Sequence, residues 1–295
     1  MQILTFDIGG TLIKSAMYDE KLGLLDCYEH VYPRIGVDGV MEILRQEIRK
    51  NEGDFDAIGI STAGLVDTDK GEIIFCSDAI PGYTGTRLKA ILENETRHPV
   101  FIMNDVNAAA LGEGAFGAGK GEKDYVCLTY GTSIGGAIVI DNKIYGGKNG
   151  YAGEIGHIVT HLGGKNCVCG RKGCYTEYAS ITALLNKCRT IDYRIHDGFD
   201  IFANFENPSI KSAIDEWVDE IVLGLTSVCH IFDPPAIILG GGVMKEKYLT
   251  EEIDRKLKKS VMPGYETVKV LPAALGNKAG LMGAAENVLR NLKNA

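Results

Sequence analysis

The sequence predicts an α/β protein built from two related halves, and three observations carry that reading. Short apolar runs suited to buried strands alternate with runs of helical spacing along all 295 residues. A strand, a Gly/Thr turn and a returning strand occur twice, first at Ile3–Tyr18 and again at Tyr125–Ile140. Between them lies a glycine-rich stretch, Gly112–Gly121, that reads as a hinge or domain boundary.

In chain order, Ile3–Asp7 is an apolar strand that ends in Gly9-Gly10-Thr11, and Ser15–Tyr18 resumes as a second strand. Val37–Lys50 carries Val40, Ile43, Leu44 and Ile48 at helical spacing. Ala57–Ser61 reads as a buried strand and Thr86–Thr96 as a helix. Val100–Met103 is a strand that runs into Asn104-Asp105, and Val106–Glu113 follows as a helix with Asp105 as its N-cap. In the second half, Tyr125–Thr129 ends in Gly131-Thr132-Ser133 and Gly135–Ile140 returns from it. Pro208–Phe232 is a long helix stopped by Pro234-Pro235. Ala236–Leu239 is a buried strand that leads into Gly240-Gly241-Gly242, and Ala279–Leu292 is a terminal helix.

Composition narrows the function classes. The chain is 45% hydrophobic and 24% charged, ordinary for a soluble globular protein, with room for two domains. A net charge of -8 and the lack of a basic tract argue against nucleic-acid binding. No run of about 18 apolar residues suggests a membrane span, and the first residues read as a core strand rather than a signal peptide. Cys27, Cys76, Cys127, Cys188 and Cys229 are scattered among apolar residues and read as buried free thiols, which fits a reducing cytoplasm.

The most specific local signal is Glu154-Ile155-Gly156-His157 followed by Cys167-Val168-Cys169-Gly170-Arg171-Lys172-Gly173-Cys174. One histidine and three cysteines are the ligand set of a closed tetrahedral zinc site. The competing readings are a reduced core cluster or a disulfide, and the polar neighbours Gly, Arg, Lys and Asn disfavour both. If zinc fixes His157, it also fixes the backbone around Glu154. Asp7-Ile8-Gly9-Gly10-Thr11 fits a turn whose backbone N–H groups approach phosphate, with Asp7 able to hold Mg²⁺. A plain hairpin turn fits it too, though Gly131-Thr132 repeats the pattern. Asp105 can be simply a cap, or a carboxylate that accepts a proton from a hydroxyl in phosphoryl transfer. Asn104 can donate to and accept from sugar hydroxyls. Gly240-Gly241-Gly242 allows close approach of a flat ligand such as adenine, or serves as an ordinary turn.

Taken together, these motifs resemble the ROK family (repressors, open reading frames and kinases). Asp7-Ile8-Gly9-Gly10-Thr11, Asn104-Asp105, Glu154-Ile155-Gly156-His157, Cys167-x-Cys169-Gly170-x-x-Gly173-Cys174 and Leu239-Gly240-Gly241-Gly242 occur in that family's order across nearly the whole chain. The resemblance implies an actin-like ATPase (ribonuclease H-like) fold with two related domains around a central cleft that holds sugar and ATP. On that pattern residues 1–115 form the first domain, with helix 279–295 packing back on it. Residues 116–278 form the second, with a zinc-binding insertion at 154–177. It further implies ATP-dependent phosphorylation of a sugar 6-hydroxyl by a cytoplasmic homodimer with Mg²⁺ and structural Zn²⁺. Asp105 resembles the general base. Asn104, Glu154, His157, Gly64 and Glu177 resemble the sugar site. Asp7, Gly9, Gly10, Thr11, Lys14, Gly131, Thr132 and Gly241 resemble the ATP site, and His157, Cys167, Cys169 and Cys174 the zinc ligands.

The chain departs from the family pattern at three places. Where the family places a glutamate two residues after the last zinc cysteine, near the sugar's anomeric end, this chain has Thr176, with Glu177 one step on. A threonine offers no carboxylate to a free anomeric hydroxyl, and a glycoside has none there. The expected acceptor is therefore a β-glucoside such as cellobiose, with glucose or N-acetylmannosamine as alternatives if Glu177 takes over the missing role. Ser61-Thr62-Ala63-Gly64 lacks the proline common before the glycine. Ala79-Ile80-Pro81-Gly82-Tyr83 has Ala79 and Tyr83 where Asn and Trp are common. A sugar-responsive repressor is the reading of another class. It is disfavoured because Asp7 lies too near the start to leave room for a helix-turn-helix domain, and because the chain is acidic and keeps Asp105.

Overall fold

Both Gly/Thr hairpins form, and each seeds a sheet. The computed structural model describes residues 1–31, 35–76 and 79–294. These fall into two units: unit 1 is Met1–Lys120, Lys143–Ala152 and the segment from Asn277 onward, and unit 2 is Gly121–Asn142 and Gly153–Gly276.

In unit 1, β1 (Gln2–Ile8) pairs antiparallel with β2 (Leu12–Asp19), which puts Asp7 opposite Lys14. Strand β3 (Leu24–Val31) flanks β2, while β4 (Ala57–Thr62) and β7 (Val100–Asn104) extend the other side in parallel, giving the order β3-β2-β1-β4-β7. A small hairpin, β5 (Leu65–Asp67) with β6 (Glu72–Phe75), follows β4. Every residue of β4 is buried because the sheet is covered on both faces. Helices α1 (Val37–Lys50) and α2 (Leu88–Thr96) close one core, with Leu44, Leu88, Ile58 and Phe6 inside. Helix α9 (Ala279–Asn294) closes the other through Leu281, Ala285 and Val288. Helix α3 (Asp105–Phe116) packs on α9 at close range: a Cβ on Gly112 would meet Ala279 O at 2.6 Å, and one on Gly283 would meet Ala108 O at 1.7 Å.

Unit 2 repeats the plan. Strand β8 (Tyr125–Tyr130) pairs antiparallel with β9 (Ile134–Ile140). After the short β10 (Lys143–Ile144), which belongs to unit 1, the chain passes through α4 (Thr176–Ala179), α5 (Ile181–Ile191), α6 (Gly198–Ala203) and α7 (Pro208–Phe232). Strand β11 (Ala236–Gly240) then joins β8 in parallel, and β12 (Lys269–Pro272) follows α8 (Lys247–Ser260) to join β11. A hairpin and two parallel crossovers thus occur in both units, as the sequence repeat suggested. The amphipathic face of α7 buries Ile214, Trp217, Val218, Ile221, Leu225 and Val228, and the Trp217 indole N–H donates to Ala179 O at 2.9 Å. Each such large side chain contributes on the order of 2 kcal/mol on burial.

Several expectations need correction. The cap of α3 is Asn104, not Asp105: its side chain accepts from the N–H groups of Val106 and Asn107. Asp105 is the first helical residue because the strand ends one position later than the pattern indicated. Gly112 lies inside α3 rather than in a hinge, held there by the contact with α9. Helix α2 begins at Leu88, after Thr86 has paired its backbone with Tyr83 and Ile73. Cys27 is exposed because β3 is a sheet edge, and Cys76, just after β6, is half-buried, unlike the buried Cys127, Cys188 and Cys229. Residue 295 lies outside the described residues. No helix among the described residues is long and apolar enough to cross a membrane.

Candidate active site and metal knuckle

In unit 1, the sequence-nominated groups converge at the ends of β1, β4 and β7. These strands are parallel neighbours, so their carboxyl ends carry Ile8, Thr62 and Asn104 side by side. Asp7 is in register with Ser61, whose hydroxyl donates to Asp7 Oδ1 at 2.7 Å. The Lys14 ammonium lies 3.3 Å from Asp7 Oδ2 and donates to Asn277 O at 3.1 Å. The first turn of α9 abuts the same carboxylate: a Cβ on Gly280 would stand 2.7 Å from Asp7 Oδ1. A hydroxyl, an ammonium and the first turn of a helix therefore all converge on the Asp7 carboxylate. Sequence reasoning had given neither Ser61 nor Gly280 a role at Asp7. Only the β1–β4 register and the return of α9 reveal them.

Asn104 uses its whole amide within this unit. Its Oδ1 accepts from Val106 N–H at 2.9 Å and Asn107 N–H at 3.2 Å, while Nδ2 donates to Gly64 O at 3.0 Å and Asp105 Oδ1 at 2.9 Å. Gly64 adopts a φ of +102°, and a Cβ there would meet Phe75 O at 2.6 Å, so glycine is required. Burial pushes the Asp105 carboxyl up to about 6, and the nearby charge of Asp7 pushes in the same direction; the Val106 N–H and the Asn104 amide act against both. A carboxylate of this basicity is suited to take a proton from a hydroxyl near neutral pH.

The turn between β1 and β2 is closed by Gly9 N–H to Leu12 O at 2.9 Å, and Gly10 packs on Ala79, whose Cβ would be 3.1 Å from a Cβ on Gly10. Thr11 is exposed at its tip. In unit 2, Gly131 N–H closes the matching turn on Ser133 O at 3.0 Å, leaving Thr132 exposed. Gly241, after β11, has a φ of +120°, and a Cβ there would lie 2.1 Å from Tyr130 O. At Gly241 the chain therefore approaches β8 so closely that only glycine fits, whereas a Cβ on Gly242 would meet nothing within 4 Å.

The second cluster is the knuckle of unit 2. His157, Cys167, Cys169 and Cys174 offer donor atoms that all lie within 4.8 Å of one another. Cys167 Sγ is 3.5 Å from His157 Nδ1, and Cys169 Sγ is 3.5 Å from Cys174 Sγ. Tetrahedral zinc, with bonds of about 2.0–2.3 Å, places its donors ~3.4–3.8 Å apart, so the set fits zinc in kind and these two pairs fit it in spacing. The knuckle closes through Cys167 N–H to Arg171 O at 2.9 Å and Gly170 N–H to Cys167 O at 3.0 Å. Gly173, at a φ of +81°, passes so near His161 O that a Cβ would stand 1.7 Å from it. Among the thiols, backbone N–H donation at Arg171 draws Cys169 down to about 6, whereas burial pushes Cys167 up to about 12. The other ring nitrogen of His157, Nε2, stands 3.9 Å from Glu154 Oε2. The imidazole thus has one nitrogen toward the cysteines and the other toward the Glu154 carboxylate. Next to Cys174, Tyr175 is fully buried on Gly224 of α7 and shares a 2.8 Å hydrogen bond with Tyr130, anchoring the knuckle to the core.

Thr176 is also buried, and its Oγ1 accepts the Ile134 N–H at 3.0 Å. The Glu177 N–H donates to Cys174 O at 3.0 Å, and the Glu177 carbonyl accepts from Lys165 Nζ at 3.0 Å. The structure thus sets Glu177 beside the knuckle.

The family model for ROK matches residues 3–291. The chain belongs to the ROK family. It is 32% identical to a glucokinase of Streptomyces coelicolor, over 95% of each protein. It is 28% identical to the xylose repressor of Bacillus subtilis, over 96% of this chain and 76% of the repressor. Among solved structures, a ROK family glucokinase from Streptomyces griseus in complex with glucose and AMPPNP superposes with a TM-score of 0.85 at 32% identity, covering 97% of this chain and 98% of that one. The fold is accordingly the actin-like ATPase fold of ROK sugar kinases, of mixed α/β class.

Proposed function

We propose that this ROK protein is an ATP-dependent sugar kinase that transfers the γ-phosphoryl group to the 6-hydroxyl of a hexose, with a β-glucoside such as cellobiose as preferred acceptor. The observation that carries the kinase reading is Asp105, a carboxylate raised to about 6 and oriented by Asn104 at the start of α3. Asp105 takes the proton of the attacking hydroxyl as the oxygen bonds to phosphorus and the bond to ADP breaks. Gly9, Gly10, Thr11, Lys14, Gly131 and Thr132 are assigned to the phosphates and Gly241 to the adenosine. Asp7 would hold Mg²⁺, which when bound neutralises phosphate charge.

Asn104, Gly64, Glu154 and His157 are assigned to the sugar. A sugar hydroxyl at Asn104 would compete for the N–H now given to Asp105. His157, Cys167, Cys169 and Cys174 would hold zinc, which when bound fixes the segment bearing Glu154. The β-glucoside preference rests on Thr176. Its hydroxyl is committed to the Ile134 N–H, and the backbone of Glu177 is tied to the knuckle through Cys174 and Lys165. Thr176 then offers no carboxylate to a free anomeric hydroxyl. The free thiols fit a cytoplasmic setting, and a homodimer follows from the family resemblance.

The test is ADP release from ATP and Mg²⁺ with glucose, N-acetylmannosamine, cellobiose and methyl β-glucoside side by side. Turnover of the two glycosides well above glucose supports the full reading. Turnover of glucose or N-acetylmannosamine alone keeps the kinase and removes the glycoside preference. Turnover of none removes the kinase.

A further inference from the structure

Two positions in the segments that depart from the family pattern, Thr62 and Tyr83, have no part in the chemistry above, yet the structure joins them. Thr62 Oγ1 and Tyr83 OH lie 3.0 Å apart, and both side chains are fully buried. Thr62 also makes a longer contact of 3.3 Å to Ala63 O.

Their places in the fold give the bond its reach. Thr62 ends β4, in register with Ile8 of β1 on one side and Asn104 of β7 on the other. It therefore stands between the strand that enters the Gly9-Gly10 turn and the strand that enters Asp105. The Ala63 N–H donates to Ile8 O at 2.9 Å, and Gly64 O receives Asn104 Nδ2 at 3.0 Å. Tyr83 belongs to a loop braced at three points. Ala79 packs on Gly10, Pro81 O accepts the Val37 N–H at 2.9 Å, and the Gly85 N–H donates to Ile73 O at 2.7 Å. The Tyr83 hydroxyl ties that braced loop to the end of β4. An apolar contact would fill the same space, but a buried hydrogen bond also fixes distance and direction.

We propose that the Thr62–Tyr83 hydrogen bond sets the position of the Ala63-Gly64 segment and, through the Gly64–Asn104 contact, tunes affinity for the acceptor sugar. The inference rests on the kinase reading of this site. Thr62 and Tyr83 are positioning residues: they act through Gly64 and Asn104.

The experiment compares wild type, Tyr83→Phe, Thr62→Val and the double variant. It reads acceptor KM, ATP KM, kcat, the thermal midpoint, and the rise in that midpoint on adding sugar without ATP. Each single variant is expected to raise acceptor KM about 3- to 10-fold, the size of one lost hydrogen bond, and to shrink the sugar-induced rise. ATP KM and kcat should stay within about 2-fold, and the double variant should be no worse than the weaker single variant. Additive single effects, a parallel rise in ATP KM, or a lower midpoint with acceptor KM intact would overturn the proposal. If wild type turns over none of the sugars, the kinase reading fails by itself, and the sugar-induced rise still decides this one. A rise present in wild type and lost in Tyr83→Phe supports it. A rise retained in both single variants, or absent from wild type, overturns it.

Discussion

Replacing Asp105 with asparagine should stop the chemistry and stabilise the fold in the same step. Asp105 is raised from 3.8 to about 6 by burial and by the charge of Asp7. A carboxyl whose folded value is raised binds its proton more tightly folded than unfolded. Below pH 3.8 both states are protonated and nothing is lost. Between 3.8 and about 6 stability falls as pH rises, and above that the full cost of holding an ionised Asp105 remains. About 2 pH units at ~1.4 kcal/mol each gives an upper figure of ~3 kcal/mol, which the partial exposure of the side chain trims to ~1–2 kcal/mol. Asparagine keeps an oxygen for the Val106 N–H and the Asn104 amide but carries no charge, so Asp105→Asn should regain that energy at pH 7.5. The expected rise in thermal midpoint is roughly 2–3 °C at pH 7.5, shrinking toward zero near pH 4. Turnover at pH 7.5 should fall by roughly 10²–10⁴-fold with the sugar-induced midpoint shift retained. In wild type, kcat/KM should drop about tenfold per pH unit below pH ~6. A variant whose gain over wild type is no larger at pH 7.5 than at pH 4.5, or an acid limb that begins below pH 5, would refute the reasoning about Asp105.

Three further outcomes follow from the geometry. Gly280→Ala puts a methyl group 2.7 Å from Asp7 Oδ1, so kcat should fall at least tenfold with ~1–3 kcal/mol of stability lost; wild-type turnover would show that Asp7 can move without penalty. Cys169→Ser, or extended chelation of the wild type, should remove zinc measured by elemental analysis and raise sugar KM more than ATP KM; full zinc occupancy in the variant would take Cys169 out of the ligand set. Thr176→Glu should shift the ratio of glucose to cellobiose turnover toward glucose, and an unchanged ratio would end the argument from position 176. Its buried site and its bond to Ile134 predict some loss of stability, so the ratio, not the absolute rate, is the measurement.

The sequence by itself determined the elements whose signals are local. Hairpin turns need glycine and a small polar residue, so Gly9-Gly10-Thr11 and Gly131-Thr132 were legible, as was the duplicated strand–turn–strand plan. A Cys₃His set within 18 residues can close on itself, so the metal knuckle was legible from spacing alone. The 25-residue periodicity of α7 was also plain, because it reflects one buried face.

What only the tertiary structure decided are the contacts made across long separations. Ser61 reaches Asp7 because β1 and β4 lie parallel in one register, and nothing local to either residue announces that. Gly280 meets the same carboxylate because α9 returns from the far end of the chain and packs on α3 through glycines. Thr62 and Tyr83 are 21 residues apart and bond only because a loop folds back on the end of β4. The cap of α3 fell to Asn104 instead of Asp105 because the β7 ladder runs one residue further than its hydrophobic pattern, which leaves the aspartate side chain outside the cap. The basicity of Asp105 is likewise tertiary: it depends on how much water is excluded and on how near Asp7 stands, and both are fixed by packing rather than by neighbours in sequence.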